Sequence, residues 1–394
     1  MSGTAVDSLE LAKASTEVAT AMIAVKNATS VVESLEKLAS AAGAIGAIFG
    51  IAAAIVKLAL GNVESEELRY MKEQFQIVRN KLDIISDQIH QVLRAIEQST
   101  VNNQYFPIEE NLKNQFRKYM DILNATAEFR ESEKQEFLTD FNATKGNQNL
   151  HTLFDAVMGC SAVFGKPILE TAMEYDQRNR HLMEGLCSRL KELFCIGLIA
   201  LVGHSTITGT DVEALKTEWN EKISEVENKM KSMIDQCINE FANQAEIDVG
   251  KMINEKGGRD NHECGDYILD GLLKNYDWVN WSVWVHDTVG DFDNHWVSGP
   301  NRSHFFRCNW VNAVVSDAVD QKPIDESYIR QLIEEKDCWA KPRKVGEHVY
   351  ANLPYGHVVH VVNCQKCLSP YDNFPENYHF CKNYSGVTLC VHST

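Results

Sequence analysis

Proline is scarce in this sequence. Of its 8 prolines, only Pro107 and Pro167 precede residue 300. Proline removes a backbone hydrogen-bond donor and its ring clashes with the preceding turn, so it is a strong breaker of helices. This scarcity argues against a succession of short helices and predicts that the first part of the chain forms long, uninterrupted ones.

Motifs of several large enzyme classes are also absent. The sequence has no G-x-S-x-G nucleophile elbow, no H-E-x-x-H zinc motif, no Walker A loop and no Rossmann glycine fingerprint. Each of these spacings is required to hold a nucleophile, a metal or a phosphate in place. We therefore expect a protein that is not an enzyme, with no catalytic residues and no cofactor.

The chain has no concentrated basic region. Its formal net charge is −17, whereas binding to nucleic-acid phosphates requires clustered lysine and arginine. The same acidity disfavours permanent residence on an anionic membrane. Nucleic acid is therefore not an expected partner.

Targeting signals are absent from the first residues of the sequence. They contain no basic segment followed by an apolar segment, the pattern of a secretory signal peptide, and position 2 is serine, which excludes N-myristoylation. We expect a cytoplasmic protein that associates with membranes only on activation.

Cysteine is present in an odd number, 11, which is atypical of a disulfide framework. Near the end of the sequence, a C-x₂-C knuckle and two further cysteines lie among several histidines: Cys364, Cys367, Cys381 and Cys390. A knuckle is half of a zinc ribbon, but the second pair is too widely spaced to complete one. Zinc binding and a disulfide stay open as alternatives, and we favour reduced thiols without a metal.

The most regular pattern is a set of apolar residues spaced alternately by three and four positions: Leu68, Met71, Phe75, Val78, Leu82, Ile85, Ile89, Val92 and Ile96. It predicts a straight helix of about 35 residues, roughly 50 Å long, with a coiled-coil seam. Such a seam can pair within one chain or between chains, so a homo-oligomer is one expectation. A second long helix is predicted over residues 211–256, with Asp211 as its N-cap.

The run from Leu38 to Val56 contains no charged residue. On a helical projection it has two faces. Gly43, Gly46 and Gly50 form a face suited to close packing. The opposite face carries the membrane-inserting candidates Ile45, Ile48, Phe49, Ile51, Ile55 and Val56. As a helix the run would span about 28 Å, just enough to cross the hydrocarbon layer.

Three roles are open for this apolar run: a core helix, a conditionally inserting helix and a constitutive transmembrane anchor. Its bulky residues contribute about −3 kcal/mol to insertion, and the glycines and alanines offset much of that. Insertion is therefore marginal. A marginal helix can remain buried against a neighbour and enter lipid when that neighbour moves.

The composition changes at residues 256–260, so we predict two domains, 1–256 and 257–394. Beyond this boundary, strand-like segments occur at 278–285, 309–315, 356–363 and 386–391, and one helix is predicted at 324–336. The fold class expected is α+β: an elongated bundle of long helices, followed by a small α+β domain with an antiparallel sheet.

Residues 61–67, 70–75, 81–89, 103–111, 189–195 and 218–222 resemble the rapunzel family of fish proteins. The helical half is similar, more loosely, to cephalotoxin-like proteins of molluscs. The first resemblance implies a role in fin and skeletal development and supplies no catalytic residues. The second implies a membrane-active relative, and the general architecture is similar to that of bacterial helical pore-forming toxins.

Two functional hypotheses follow. In the first, the protein is membrane-active and residues 38–56 insert conditionally into a lipid bilayer. In the second, it is an intracellular interaction or scaffold protein in fin or skeletal growth, with a protein partner, and residues 38–56 are ordinary core.

Overall fold

The computed structural model describes residue 76 and residues 79–80, 83–175, 178–256, 260–288, 295–299, 303–308, 311–318, 325–334, 342–373, 379–384 and 386–393. The chain forms two compact units, Met1–Cys237 and Ile238–Thr394. The boundary predicted at residues 256–257 falls inside the second unit, because the helix that precedes it belongs to that unit's core.

The described part of the first unit is helical. Its helices are α1 (Asp87–Gln98), α2 (Tyr105–Asn124), α3 (Arg130–Ala143), α4 (Gly146–Met158), α5 (Ile168–Tyr175), α6 (Arg180–Thr208) and α7 (Val212–Asn239). Helix α6 lies in the middle of the core. Between Leu193 and Val202 nearly all of its side chains are buried, as expected of a helix surrounded by others.

The prediction of one continuous helix over Leu68–Ile96 is wrong within the described residues. Residues 83–86 are not helical, and α1 begins at Asp87. The side-chain oxygen of Ser86 accepts a hydrogen bond from the backbone N–H of Ile89 at 3.3 Å. Serine caps a helix well because its hydroxyl replaces a missing backbone acceptor, so it starts a new helix here.

The seam residues divide accordingly. Leu68, Met71, Phe75, Val78 and Leu82 lie outside the described residues. Ile85 and Ile89 are partly buried, and Val92 and Ile96 are fully buried in the core of the same unit. The described end of the seam therefore packs within the chain.

The second unit begins with α8 (Phe241–Lys256) and α9 (Asn261–Asn275). It continues with β1 (Asn280–Thr288), β2 (His295–Ser298), β3 (Ser303–Cys308), β4 (Val311–Ala318), α10 (Glu326–Glu334), α11 (Pro342–Asn352), β5 (His357–Asn363), β6 (Cys367–Asp372), β7 (His379–Tyr384) and β8 (Val387–Ser393). The described strands form two four-stranded sheets, in the orders β3-β4-β1-β6 and β2-β5-β8-β7. Every pairing among them is antiparallel, which confirms the predicted fold class.

The second unit has four layers. Helices α8 and α9 pack on the outer face of the first sheet, and α10 and α11 pack on the outer face of the second. The inner faces of the two sheets meet in a smaller cluster that includes Trp284 and Val314 from the first sheet and Val362 and Cys390 from the second. The polar groups described below lie in this middle layer.

Candidate functional site

The candidates for membrane insertion lie outside the described residues. This applies to Ile45, Ile48, Phe49, Ile51, Ile55 and Val56, and to the close-packing face of Gly43, Gly46 and Gly50. Within the part of the chain that the structure does describe, no helix has both the length and the apolarity required to cross a bilayer.

The core of the helical unit contains a buried ion pair. Arg189 of α6 donates from Nε to Oε2 of Glu109 of α2 at 3.3 Å, and also from Nη2 to the other carboxylate oxygen. The two side chains are 5% and 8% exposed. A bidentate arrangement of this kind fixes the geometry of both partners, so it sets how α2 and α6 face each other.

Burial alone would raise the pKa of Glu109, but the hydrogen bonds and charge of Arg189, with a contribution from Lys113, lower it below its usual value. The Nζ of Lys113 lies 3.2 Å from Oε1 of Glu109. Burial also raises the pKa of nearby Tyr105 well above its usual value. The carboxylate is therefore held ionised inside an apolar core.

Helix α6 also carries glycines at tight contacts. A Cβ added at Gly203 would overlap the ring of Tyr119, and one added at Gly197 would lie 2.5 Å from Cδ2 of Leu150. Small residues allow helices to approach closely and large side chains to pack across the backbone. These glycines contribute to the packing of α2 and α4 on α6.

The middle layer of the second unit contains a continuous chain of buried histidines. The Nε2 of His295 on β2 lies 3.1 Å from Nδ1 of His360 on β5. The Nε2 of His360 lies 3.0 Å from Nε2 of His392 on β8, which in turn lies 2.8 Å from Oγ of Ser282 on β1. The chain thus links three strands of one sheet to the other sheet.

The protons of this histidine chain are coupled. His360 uses both ring nitrogens, and a neutral imidazole has one N–H and one acceptor nitrogen. If His360 donates to His295, then His392 must donate to His360; the reverse arrangement reverses both bonds. The tautomers of the three rings are therefore set together.

Burial disfavours a charge on two histidines of this layer, His286 and His295. Burial lowers the pKa of His295 well below its usual value, and the neighbouring His286 lowers it further. Burial also lowers the pKa of His286, although the backbone and charge of Asp287 oppose the shift. The rings of His286 and His295 are 6.0 Å apart, so protonation of one disfavours protonation of the other.

Only some of the cysteines in the predicted cluster lie close together in the structure. Cys381 on β7 and Cys390 on β8 are directly opposite each other. The Sγ of Cys364 lies 3.0 Å from Oγ1 of Thr388, and Cys367 begins β6 of the other sheet. Among the described residues, no three or more histidine, cysteine or acidic side chains are arranged to hold a metal ion.

The ion pair and the histidine chain are not apparent from the sequence. Glu109 and Arg189 come from different helices, and the four residues of the histidine chain come from four strands. One signal was available: His360 and His392 each lie within an apolar strand, where a polar residue requires a buried partner. The identity of that partner depends on the strand pairing.

Comparison with known proteins agrees with this architecture. Residues 61–258 match the family model of the cephalotoxin-like middle helical domain. This match defines the class of the helical region, and no solved structure matches the chain.

The chain is also 41% identical over 189 residues to Protein rapunzel of Danio rerio. That alignment covers 48% of this chain and 83% of the zebrafish protein. The chain therefore belongs to the rapunzel family and carries a cephalotoxin-like middle helical domain, as the sequence resemblance predicted.

Proposed function

We propose that the protein is a non-enzymatic, membrane-active helical protein of the pore-forming-toxin type, in which residues 38–56 insert conditionally. The observation that carries this proposal is the uncharged run itself, since it combines a glycine face with a bulky apolar face. The run ends just before residue 61, where the cephalotoxin-like domain begins. The name of that domain refers to a toxin, which favours a membrane as the target.

The described helices supply a stable scaffold for such an element. Their core is closed around α6 and contains the Glu109–Arg189 ion pair. The proposal requires that this core keeps its own packing when residues 38–56 enter the membrane. In this proposal the protein is cytoplasmic before activation and forms homo-oligomers at the membrane.

Leakage of a dye from lipid vesicles tests the proposal. Purified protein is added to phosphatidylcholine vesicles, with and without phosphatidylserine, that contain carboxyfluorescein. Wild type is expected to release the dye, and Phe49→Glu is expected to lose most of this activity, because a charge at the bilayer centre costs about 2.5 kcal/mol or more. Ile84→Glu adds the same charge at a side chain that is 78% exposed, so it should behave as wild type.

A neutral variant distinguishes a loss of membrane insertion from a loss of folding. Ile45→Ser removes apolar surface without burying a charge and should reduce leakage by a smaller factor than Phe49→Glu. Circular dichroism establishes that each variant is folded. Wild type that releases no dye from either kind of vesicle, or a folded Phe49→Glu with full activity, contradicts the proposal.

The relation to zebrafish rapunzel favours a second candidate, an intracellular interaction or scaffold protein acting in fin or skeletal growth through a protein partner. In that case residues 38–56 are core. Phe49→Glu would then unfold the first unit, because burial of an unpaired charge costs several kcal/mol. An unfolded variant together with an inactive wild type would support this candidate.

A further inference from the structure

Two cysteines of the second sheet occupy neighbouring positions in one cross-strand row. Strand β8 is an inner strand, and Cys390 on it pairs directly with His360 of β5 on one side and with Cys381 of β7 on the other. Residues directly opposite on antiparallel strands have Cβ atoms about 4.5–5.5 Å apart. A disulfide requires about 3.5–4.5 Å, so a small movement of the strands is enough to join the two sulfurs.

The two thiols already interact. The neighbouring thiol of Cys390 lowers the pKa of Cys381 by stabilising its thiolate, and burial opposes this shift. Burial, together with the neighbouring Cys381, raises the pKa of Cys390 well above its usual value. Of the two thiols, Cys381 is therefore the one that ionises more readily.

Cys381 and Cys390 also differ in their access to solvent. Cys381 is exposed on β7, an edge strand, whereas Cys390 is buried between the sheets. The thiolate is the reactive form of cysteine, and it reacts only where a reagent can reach it. Cys381 therefore has the properties of the attacking thiol, and Cys390 those of a resolving thiol held beside it.

We propose that Cys381 and Cys390 form a redox-active dithiol that a hydroperoxide converts into a disulfide between β7 and β8. This modification site is independent of the proposed membrane activity. Its distinctive feature is a surface thiol on an edge strand paired with a buried thiol on the adjacent inner strand.

The oxidation of the two thiols proceeds in two steps. The thiolate of Cys381 attacks one oxygen of the hydroperoxide; an S–O bond forms, the O–O bond breaks, and the leaving oxygen takes a proton, giving Cys381 sulfenic acid and an alcohol or water. Cys390 then loses its proton and attacks the sulfenic sulfur; the S–S bond forms, the S–O bond breaks, and water leaves. The two thiols together lose two electrons and two protons, and the peroxide gains them.

Peptide mapping of the full chain tests this proposal. Reduced protein is treated with hydrogen peroxide, free thiols are blocked with N-ethylmaleimide, and a digest is analysed by mass spectrometry. The expected result is one linked peptide pair joining Cys381 to Cys390, which dithiothreitol separates. Recovery of both cysteines as maleimide adducts after peroxide treatment would overturn the proposal, as would sulfinic acid at Cys381 without the linked pair.

Three variants assign the two roles. Cys390→Ala removes the resolving thiol, so dimedone, which traps sulfenic acid, should label Cys381 roughly tenfold more than in wild type. Cys381→Ser should abolish the linked pair, while Cys160→Ser, a change at another exposed cysteine, should leave it intact. Equal dimedone labelling of Cys381 in wild type and in folded Cys390→Ala would contradict the resolving role, and the wild-type map decides the proposal even if that variant does not fold.

Discussion

Arg189 and Glu109 form a bidentate ion pair in the core of the helical unit, almost entirely shielded from water. Removing one partner leaves the other charge unpaired in an apolar environment. The ion pair contributes mainly to the geometry of the two helices and less to net stability, because an apolar pair of similar volume is often at least as stable. It fixes the register of α6 against α2.

We therefore predict that Arg189→Met destabilises the helical unit by about 3–5 kcal/mol, because the carboxylate of Glu109 loses its bidentate partner. The double variant Glu109→Met/Arg189→Met should recover most of that loss. Urea unfolding followed by far-ultraviolet circular dichroism measures both. Lys166→Met, which removes an exposed ion pair with Glu174, serves as the control and should leave the midpoint nearly unchanged. A double variant no better than the single one would contradict the prediction.

Glycine at position 203 is required by packing. Gly203→Ala should cost about 1–3 kcal/mol, because the new methyl group overlaps the buried ring of Tyr119. Gly250→Ala on α8 is the matched control, since a Cβ there meets no atom of another described element within 4 Å. That variant should be stabilised by up to about 1 kcal/mol through helix propensity. Thermal unfolding of the two variants should move in opposite directions, and equal shifts would contradict this interpretation.

The start of α1 should depend on its cap. Ser86→Ala is expected to cost about 1 kcal/mol locally, because the backbone N–H of Ile89 loses its acceptor. Ser86→Asp retains an acceptor and should behave as wild type. Hydrogen–deuterium exchange measured on peptides from α1 reports the effect. Faster exchange in both variants, or in neither, would show that the cap does not hold this end of the helix.

The second unit should lose stability in mild acid. Because the pKa values of His295 and His286 are lowered in the folded state, the unfolded chain binds more protons. Stability is then complete above about pH 6.5, the ordinary histidine value, and falls as the pH drops toward the lowered folded-state values. Among the described residues, the groups that face His295 include His286, His360 and the ring of Trp284.

A variant isolates the contribution of His295 to this pH dependence. His295→Gln keeps a polar group near His360 but cannot titrate, so the loss of stability between about pH 7.5 and pH 5 should become shallower. His262→Gln, a change at an exposed histidine of the same unit, should keep the wild-type slope. Unfolding midpoints at several pH values provide the comparison, and an unchanged slope in His295→Gln would contradict the assignment.

The strands show clearly which parts of the fold the sequence can predict. The four segments predicted as strands correspond to β1, β4, β5 and β8, which are the inner strands of the two sheets. The strands that were missed, β2, β3, β6 and β7, are all edge strands. Inner strands are buried on both faces and read as apolar runs, whereas edge strands tolerate polar residues and even a proline such as Pro370 in β6.

The start and the buried face of the helix predicted over 211–256 are confirmed, but its continuity is not. The cap Asp211 is confirmed by its hydrogen bonds to the backbone N–H groups of Glu213 and Ala214, and the spacing of Val226, Met230 and Met233 corresponds to a buried face. However, the helix predicted over 211–256 divides into α7 and α8. Apolar spacing continues across such a break because each side faces a core, so periodicity alone does not reveal it.

Strand β8 is hydrogen bonded to β5 on one side and β7 on the other, although it is the last of the described strands to be synthesised. The second sheet therefore cannot be completed until residues up to Ser393 have emerged from the ribosome. A premature stop before Val387 would leave β5 and β7 without their common neighbour, each with an open backbone edge. Such edges recruit strands from other molecules, so we expect truncated chains to aggregate and not simply to lose one strand.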